Sequence, residues 1–113
     1  MSHPSEIVSK RAGYAPVFAA LGDPTRLSLI AKLARGAPCS ISTLTEDTKL
    51  TRQAVTKHLR VLEHARLVRS RRRGRESRFA LNPEPFEAAG RYLALVSRQW
   101  DDALERLKDF VER

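Results

Sequence analysis

The middle of the chain reads Leu50-Thr-Arg-Gln-Ala-Val-Thr-Lys-His-Leu-Arg-Val-Leu62, and the pattern of this segment indicates the architecture of the protein. At about 100° per residue, Val55, Leu59 and Leu62 fall on one side of a helix. The other side carries polar and basic side chains, namely Arg52, Gln53, Thr56, Lys57 and Arg60. The pattern predicts an amphipathic helix, capped at its start by Thr51, with one side in a core and the other in solvent.

A basic hairpin is predicted directly after this helix. Residues 68–73 and 77–81 are predicted to form two short strands joined across Gly74. The tip carries four arginines: Arg71, Arg72, Arg73 and Arg75. Such a helix taken alone is more often an ordinary solvated surface, but a polar-faced helix beside an arginine-tipped hairpin is typical of a winged helix-turn-helix.

The side chains of this unit suit a DNA duplex. Gln, Thr, Lys and Arg reach base edges and phosphates in the major groove, which is wide enough to admit a helix. Arginine at a hairpin tip suits the narrow minor groove or the phosphates beside it. The predicted DNA-contacting residues are Thr51, Arg52, Gln53, Thr56, Lys57, His58, Arg60, Arg71, Arg72, Arg73 and Arg75. For His58, packing against a neighbouring helix is an equal alternative.

Positive charge is concentrated in the same region. Residues 52–78 contain ten arginines and lysines and two glutamates, a net charge of +8. The whole chain also carries +8, so the remaining residues are neutral in sum. Such a localised charge indicates a polyanion-binding surface. A membrane surface is the weaker alternative, because it requires lysines opposite large apolar residues on one helix.

Composition bounds the remaining possibilities. A chain of 113 residues with 42% hydrophobic content predicts one domain with a modest core. No export signal or long apolar run is present, so we expect a cytoplasmic protein with no membrane partner. One cysteine and three scattered histidines do not form a zinc-ligand pattern. No spacing typical of catalytic groups is found, so we expect neither an enzyme nor a cofactor.

The residues before the central stretch predict an arm and three short helices. Residues 1–12 are polar and are predicted to form a flexible arm in front of a domain over 13–113. A first helix is predicted over 15–21, with Pro16 in its first turn. A second helix begins after the cap Asp23, and Ser40 caps a third over 41–48. The short turn before Thr51 joins the third helix to the central amphipathic helix, and these two helices form a helix-turn-helix.

Two residues in this part have open alternatives. Arg26 is predicted either to contact a phosphate or to form a surface or inter-helix salt bridge. Cys39 stands beside a predicted helix start, where a lowered thiol pKa would allow a redox switch. A small half-buried filler is the more common role of such a cysteine.

These motifs resemble the ArsR-type, or arsenic-repressor-like, winged helix-turn-helix regulators. The resemblance covers about residues 15–110 and lies in Phe18-Ala-Ala-Leu-Gly-Asp-Pro-Thr-Arg-Leu27, Ser40-Ile-Ser-Thr-Leu44, the central helix, and Leu67-Val68 with the arginine hairpin. It implies a homodimeric bacterial repressor that binds operator DNA near its own promoter.

The sequence departs from the family pattern at three places. Metal-sensing members carry Cys-Val-Cys-Asp-Leu where this chain has Ser40-Ile-Ser-Thr-Leu44, so neither thiolate ligand is present. Residues 84–113 contain no histidine for the family's second metal site. We therefore predict a non-metal-sensing member. The usual glycine after the central helix is replaced by Ala65-Arg66, which leaves the shape of that turn open.

The last 30 residues predict a dimerisation helix, about 84–113. Apolar residues alternate at spacings of three and four from Phe86 to Phe110, over more than three heptads. Packing of this stripe within one protomer is the alternative, but the small domain offers too little apolar surface to cover it. The predicted dimer contacts are Val17, Phe18, Leu21, Leu93, Val96, Trp100, Ala103, Leu104, Leu107 and Phe110.

The leading interpretation is a homodimeric, sequence-specific transcription regulator that represses its own or neighbouring genes. Its partners would be a second copy of the chain and a roughly palindromic double-stranded DNA site, while an inducer stays unknown. The predicted fold class is mostly α with a two-stranded β wing, dimerising through the terminal helices. The alternatives are a nonspecific architectural DNA-binding protein and a repressor regulated by oxidation of Cys39.

Overall fold

A computed structural model describes residues 4–112, with side chains described for residue 11 and from residue 13 onward. Within these residues the chain forms five helices and three strands. In chain order they are α1 (Pro4–Leu21), α2 (Pro24–Leu33), β1 (Cys39–Ser40), α3 (Ile41–Thr45), α4 (Arg52–His64), β2 (Val68–Arg73), β3 (Glu76–Leu81) and α5 (Pro83–Glu112). The predicted winged helix-turn-helix class is confirmed.

The first helix begins far earlier than predicted. Helix α1 starts at Pro4, so residues 4–12 of the predicted arm are helical, and only residues 1–3 of it lie outside the described part. Pro16 therefore stands in the interior of the helix and not in its first turn. Proline has no N–H, so one carbonyl in the preceding turn loses its helical partner. The boundary predicted at residue 12 falls inside a continuous helix.

Three predicted N-caps are confirmed. Asp23, Ser40 and Thr51 have extended backbones, and their side chains accept hydrogen bonds from the backbone N–H three residues later. Helix α3 ends at Thr45, earlier than the predicted Thr48. The Thr45 hydroxyl donates to the Ile41 carbonyl at 2.6 Å, and the Thr48 hydroxyl donates to the Thr45 carbonyl at 2.9 Å. These local bonds favour a turn over continued helix.

The sheet has one more strand than predicted. Its order is β1-β3-β2, and all pairs are antiparallel. Strands β2 and β3 form the predicted wing, with β3 beginning one residue early at Glu76. The additional strand β1 pairs Cys39 with Phe79 and Ser40 with Arg78. Two residues are too few to produce a period-two pattern, so this strand is specified by its tertiary pairing.

One apolar core holds these elements together. It draws buried side chains from α1, α2, α3, α4, the turn after α4 and both wing strands: Ala20, Leu29, Leu33, Leu44, Val55, Leu59, Leu62, Leu67, Val68 and Phe79. The inward side of α4 consists of the three predicted residues Val55, Leu59 and Leu62, each 0% exposed. Full burial of an aliphatic side chain contributes about 1.5–3 kcal/mol. The core therefore fixes which side of α4 faces solvent.

The turn after α4 has the shape that glycine would give it, although no glycine is present. Arg66 has a φ of 65°, the left-handed conformation that glycine would adopt without strain. The Leu67 N–H donates to the Leu62 carbonyl at 3.0 Å and the Arg66 N–H to the Glu63 carbonyl at 2.9 Å. This pairing is the Schellman motif, so the helix ends as it would with glycine, at a conformational cost.

Helix α5 is long and only partly packed. Its 30 residues extend for about 45 Å. Near its start Ala89 and Tyr92 are buried, and the Tyr92 ring stacks on Tyr14 of α1 with ring centres 4.8 Å apart. Tyr92 lies outside the predicted heptad series and was missed. Phe86 and Ala89 of the predicted stripe also pack within the protomer, so the start of α5 buries the beginning of the stripe together with the adjacent Tyr92.

Candidate nucleic-acid interface

The polar face of α4 is open to solvent. Arg52, Gln53, Lys57 and Arg60 are exposed, and Thr56 is half-buried. Because the opposite side of α4 is locked in the core, these side chains project from a rigid helix. Side chains positioned by packed elements lose less freedom when they bind a partner. The structure thus brings together the helix residues that were predicted to approach bases.

The start of α4 is tied to α3. The Thr51 hydroxyl accepts a hydrogen bond from the Ala54 N–H at 3.1 Å. An Arg52 guanidinium nitrogen donates to the Ser42 hydroxyl at 2.9 Å. These bonds fix the orientation of α4 relative to the preceding helix. The Thr51 hydroxyl remains exposed and still has its own hydrogen to donate, so its cap role is compatible with a phosphate contact.

Glu63 joins α4 to the wing. One carboxylate oxygen accepts from the Ser70 hydroxyl at 2.6 Å, and the other accepts from Arg60 at 2.9 Å. The Ser70 hydrogen bond, together with the bond and charge of Arg60, lowers the pKa of Glu63 below its ordinary value. Glu63 is consequently an anion at neutral pH and holds the end of α4 against the first wing strand. Sequence analysis assigned it no role.

The structure places His58 against the preceding helices. The Nδ1 atom of His58 lies 3.3 Å from a guanidinium nitrogen of Arg26 and 3.9 Å from a carboxylate oxygen of Asp23. Because a guanidinium only donates, Nδ1 is the acceptor in its contact with Arg26. This geometry favours the packing alternative for His58, so we leave it out of the proposed DNA contacts.

Arg26 also contacts neighbouring helices of the same protomer. Its guanidinium donates to the carbonyls of Ala19 and Ala20 at the end of α1, besides its contact with His58. The Arg26 backbone N–H donates to Asp23 at 3.0 Å, and this bond is the main cause of the lowered pKa of the Asp23 carboxyl. Arg26 therefore joins α1, α2 and α4, which supports the inter-helix alternative over a phosphate contact.

The wing presents its arginines on two faces and a tip. Alternation along β2 places Arg72 on the same side as Val68 and Ser70, which face the core and α4. Arg71 and Arg73 lie on the opposite side. The tip turns at Gly74, whose φ of 63° at the first loop position matches a type II′ hairpin turn. Arg75 follows it, so the four predicted wing arginines lie close to one exposed turn.

The predicted apolar stripe of α5 divides into two parts. Val96 and Ala103 are half-buried. The large side chains are exposed to solvent: Leu93 51%, Trp100 65%, Leu104 56%, Leu107 58% and Phe110 74%. This exposure contradicts the alternative in which the stripe packs entirely within one protomer. Val111, 72% exposed, widens the same surface.

The three predicted dimer residues of α1 have contacts inside the protomer. Val17 and Leu21 are half-buried and pack on the protomer's own core. Phe18 lies beside Tyr92, with ring centres 6.1 Å apart. Each keeps some exposed surface, but none is as exposed to solvent as Trp100. These three residues therefore leave less apolar surface uncovered than the α5 stripe does.

The described part of the chain contains neither a cluster of metal ligands nor a membrane-spanning helix. Among the residues whose side chains the structure describes, no group of three or more histidine, cysteine, aspartate or glutamate side chains is arranged to hold a metal ion. Cys39 is half-buried, and its thiol lies 3.3 Å from the Ala37 carbonyl. In the same part of the chain, no helix combines the length and apolar character that crossing a bilayer requires.

Comparison with known proteins places this geometry in a family. A helix-turn-helix domain family matches residues 21–71. The uncharacterized HTH-type transcriptional regulator YuzN of Bacillus subtilis is 39% identical over 77 residues, 63% of this chain and 84% of that protein. The transcriptional repressor SmtB homolog of Synechocystis is 42% identical over 67 residues, 59% of this chain and 50% of that protein.

A solved structure is similar over nearly the whole chain. The ArsR-like transcriptional regulator from Rhodococcus sp. RHA1 superposes with a TM-score of 0.77 and 35% sequence identity, covering 90% of this chain and 95% of that one. The exposed helix face and the arginine wing define a DNA-binding winged helix-turn-helix regulator of transcription. The chain belongs to the ArsR family of these regulators.

Proposed function

We propose that this protein is a homodimeric, sequence-specific repressor of its own or neighbouring genes. The observation that carries the proposal is the orientation of α4. Three fully buried side chains anchor one side, and an unobstructed row of Arg, Gln and Lys occupies the other. A helix so presented, next to a basic wing, fits the major groove of DNA.

Each element has a distinct part in the proposed complex. Arg52, Gln53, Thr56 and Lys57 approach base edges, where Gln pairs best with adenine and Arg with guanine. Thr51 and Arg60 contact phosphates and set the register of the helix. The wing arginines Arg71, Arg72, Arg73 and Arg75 occupy the neighbouring minor groove or its backbone.

The exposed stripe of α5 supports the homodimer. Five large apolar side chains along one helix form a contiguous surface of the kind that water disfavours. A second α5 has the same heptad spacing, so two copies are self-complementary about a two-fold axis. Such an axis sets two α4 helices about 34–36 Å apart, one turn of duplex, and hence predicts a roughly palindromic operator.

Repression requires only occupancy of the operator. A dimer bound across a promoter excludes other proteins from the same DNA, and no chemical step is involved. The Synechocystis relative is named as a transcriptional repressor, which supports this direction of control.

Base reading by α4 can be tested with Gln53→Ala. Affinity is measured by fluorescence anisotropy for the DNA upstream of the gene and for duplexes with each base pair replaced singly. The wild type should lose about 1–3 kcal/mol at particular positions, and the variant should lose that discrimination at one of them. Gln99→Ala, which removes an exposed glutamine of α5, is the matched control.

Identical base preferences in wild type and Gln53→Ala would contradict this role of Gln53. Affinity that ignores every base replacement, even in the wild type, would instead favour the nonspecific architectural protein. The two outcomes separate an error about one residue from an error about the function.

A further inference from the structure

We propose that the outer face of the wing binds backbone phosphates of the DNA flanking the operator. The outer face consists of the four arginines on the side of the hairpin turned away from the core: Arg69, Arg71, Arg73 and Arg78. This inference rests on the proposed function and extends it. Arg69 and Arg78 were not among the predicted DNA contacts.

Strand register assembles the outer face. Side chains at alternate positions of β2 share a side, which groups Arg69, Arg71 and Arg73. The antiparallel pairing sets Arg71 opposite Arg78 and Arg69 opposite Ala80. Val68 and Phe79 on the other side of the hairpin are buried. The four guanidinium groups are thereby held on one side of a two-stranded ribbon.

The outer face is concave. All four arginines line a hollow of about 430 Å³, together with Pro38, Ser70 and Ala80. Pro38 directly precedes β1, so the segment that leads into the unpredicted third strand supplies part of this surface. A hollow lined by several guanidinium groups is suited to phosphate oxygens, which arginine binds in a bidentate manner.

The charge of the outer face is largely uncompensated. Among the described residues, Glu76 is the acidic group within ion-pair distance of these arginines, 3.6 Å from Arg78. Both side chains of that pair are substantially exposed, so water weakens the attraction. Four positive charges against one negative charge favour a polyanion over a single carboxylate.

The position of the outer face relative to α4 identifies which phosphates the outer face binds. The Ser70 hydroxyl contacts Glu63 of α4, so α4 lies on the inner side of the hairpin. When α4 occupies a major groove and the wing tip the next minor groove, the outer side faces the duplex beyond the tip. The phosphates there belong to flanking DNA whose bases α4 does not reach.

Two duplex lengths test the proposal. The short duplex is the operator trimmed to the minimum that keeps Gln53-dependent base discrimination. The long duplex adds about ten base pairs, one helical turn, to each end. The variants are the pair Arg69→Gln with Arg78→Gln and, to retain charge, the pair Arg69→Lys with Arg78→Lys. Arg98→Gln is the control, because Arg98 is exposed on the side of α5 away from the stripe.

The wild type should bind the long duplex more tightly than the short one, with a steeper salt dependence. The glutamine pair should lose this advantage, and the slope of log affinity against log salt should fall by roughly 0.9 for each phosphate that the variant no longer neutralises. Its affinity for the short duplex should match the wild type. The lysine pair and Arg98→Gln should keep most of the advantage.

An equal reduction of affinity for both duplexes would overturn the proposal, because the arginines would then act inside the operator. So would a wild type that binds both lengths equally. Failure of the proposed function is recognised separately, since no trimmed duplex would then show Gln53-dependent discrimination.

Discussion

Arg66 is a residue whose conformation is unfavourable by itself and is imposed by its neighbours. It occupies the left-handed position after α4 with φ 65°, where a side chain costs roughly 1–2 kcal/mol relative to ordinary helical backbone. The Asn82 amide donates to the Arg66 carbonyl at 3.1 Å and helps to hold the turn between α4 and the end of the wing. The strain is tolerated because Leu62 and Leu67 on either side are fully buried.

We predict that Arg66→Gly stabilises the protein. Removal of the Cβ relieves the left-handed strain, and the greater freedom of glycine in the unfolded chain offsets part of the gain, leaving about 0.5–1 kcal/mol. Urea unfolding at one fixed protein concentration measures the change. Arg66→Ala is the control, because it removes the guanidinium and keeps the Cβ. Equal stability of the glycine and alanine variants would show that φ is not strained.

The roles of residues whose hydrogen-bond partners are close in sequence were predictable, and the roles of residues whose partners are distant in sequence were not. Asp23, Ser40 and Thr51 cap helices through bonds to the next turn, so their identity and spacing suffice. The roles of Arg26 and His58 depend on each other across 32 positions, and sequence alone left both open. Glu63 was overlooked because its bond to Ser70 exists only once the wing folds back on α4.

Among the helices, apolar periodicity predicted the buried residues best where a helix packs against a single core. Helix α4 packs on a single core, and all three predicted inward residues are buried. Helix α5 has two environments: its heptad pattern contains the buried Ala89 as well as exposed residues from Leu93 onward, and it misses Tyr92, which packs on α1. Helix α1 was truncated in the prediction because residues 1–12 lack apolar periodicity and Pro16 resembles a helix start. The two-residue strand β1 offers no period at all.

We predict that Trp100→Ala, in the exposed stripe of α5, weakens the dimer. Trp100 is central in the α5 stripe and 65% exposed, so in a dimer it would become a large buried anchor. Analytical ultracentrifugation over a concentration series should show the dimerisation constant shifted toward monomer. Loss of a buried aromatic anchor typically costs at least about 2 kcal/mol, or roughly thirtyfold. Arg98→Ala, two residues away and on the side of α5 opposite the stripe, should leave dimerisation unchanged. A variant that dimerises as well as the wild type would show that α5 does not pair through Trp100.

At the scale of the whole molecule, shape and charge both indicate surfaces made for partners. The radius of gyration is 18.5 Å, whereas a compact domain of this length has about 13 Å. The long extent of 66 Å reflects a helix that extends from the core with its apolar side uncovered. A second copy of the chain would cover that side.

The charge distribution separates the two proposed surfaces. The net charge of +8 resides in residues 52–78, while residues 79–113 contain five basic and seven acidic residues. The wing and α4 therefore attract DNA, and α5 does not compete with them. Because the attraction is electrostatic, affinity should fall steeply as salt increases.

A sequence-specific repressor must prefer one DNA sequence over others of the same composition. The most direct test of this preference is the affinity of the wild type for the DNA upstream of its own gene, in competition with a scrambled duplex of the same composition at about 150 mM salt. We predict a preference of about 10³ or more for the natural sequence, the range of specific regulators. Equal affinity for the two duplexes would contradict specific recognition at this site and would leave charge as the basis of binding to it.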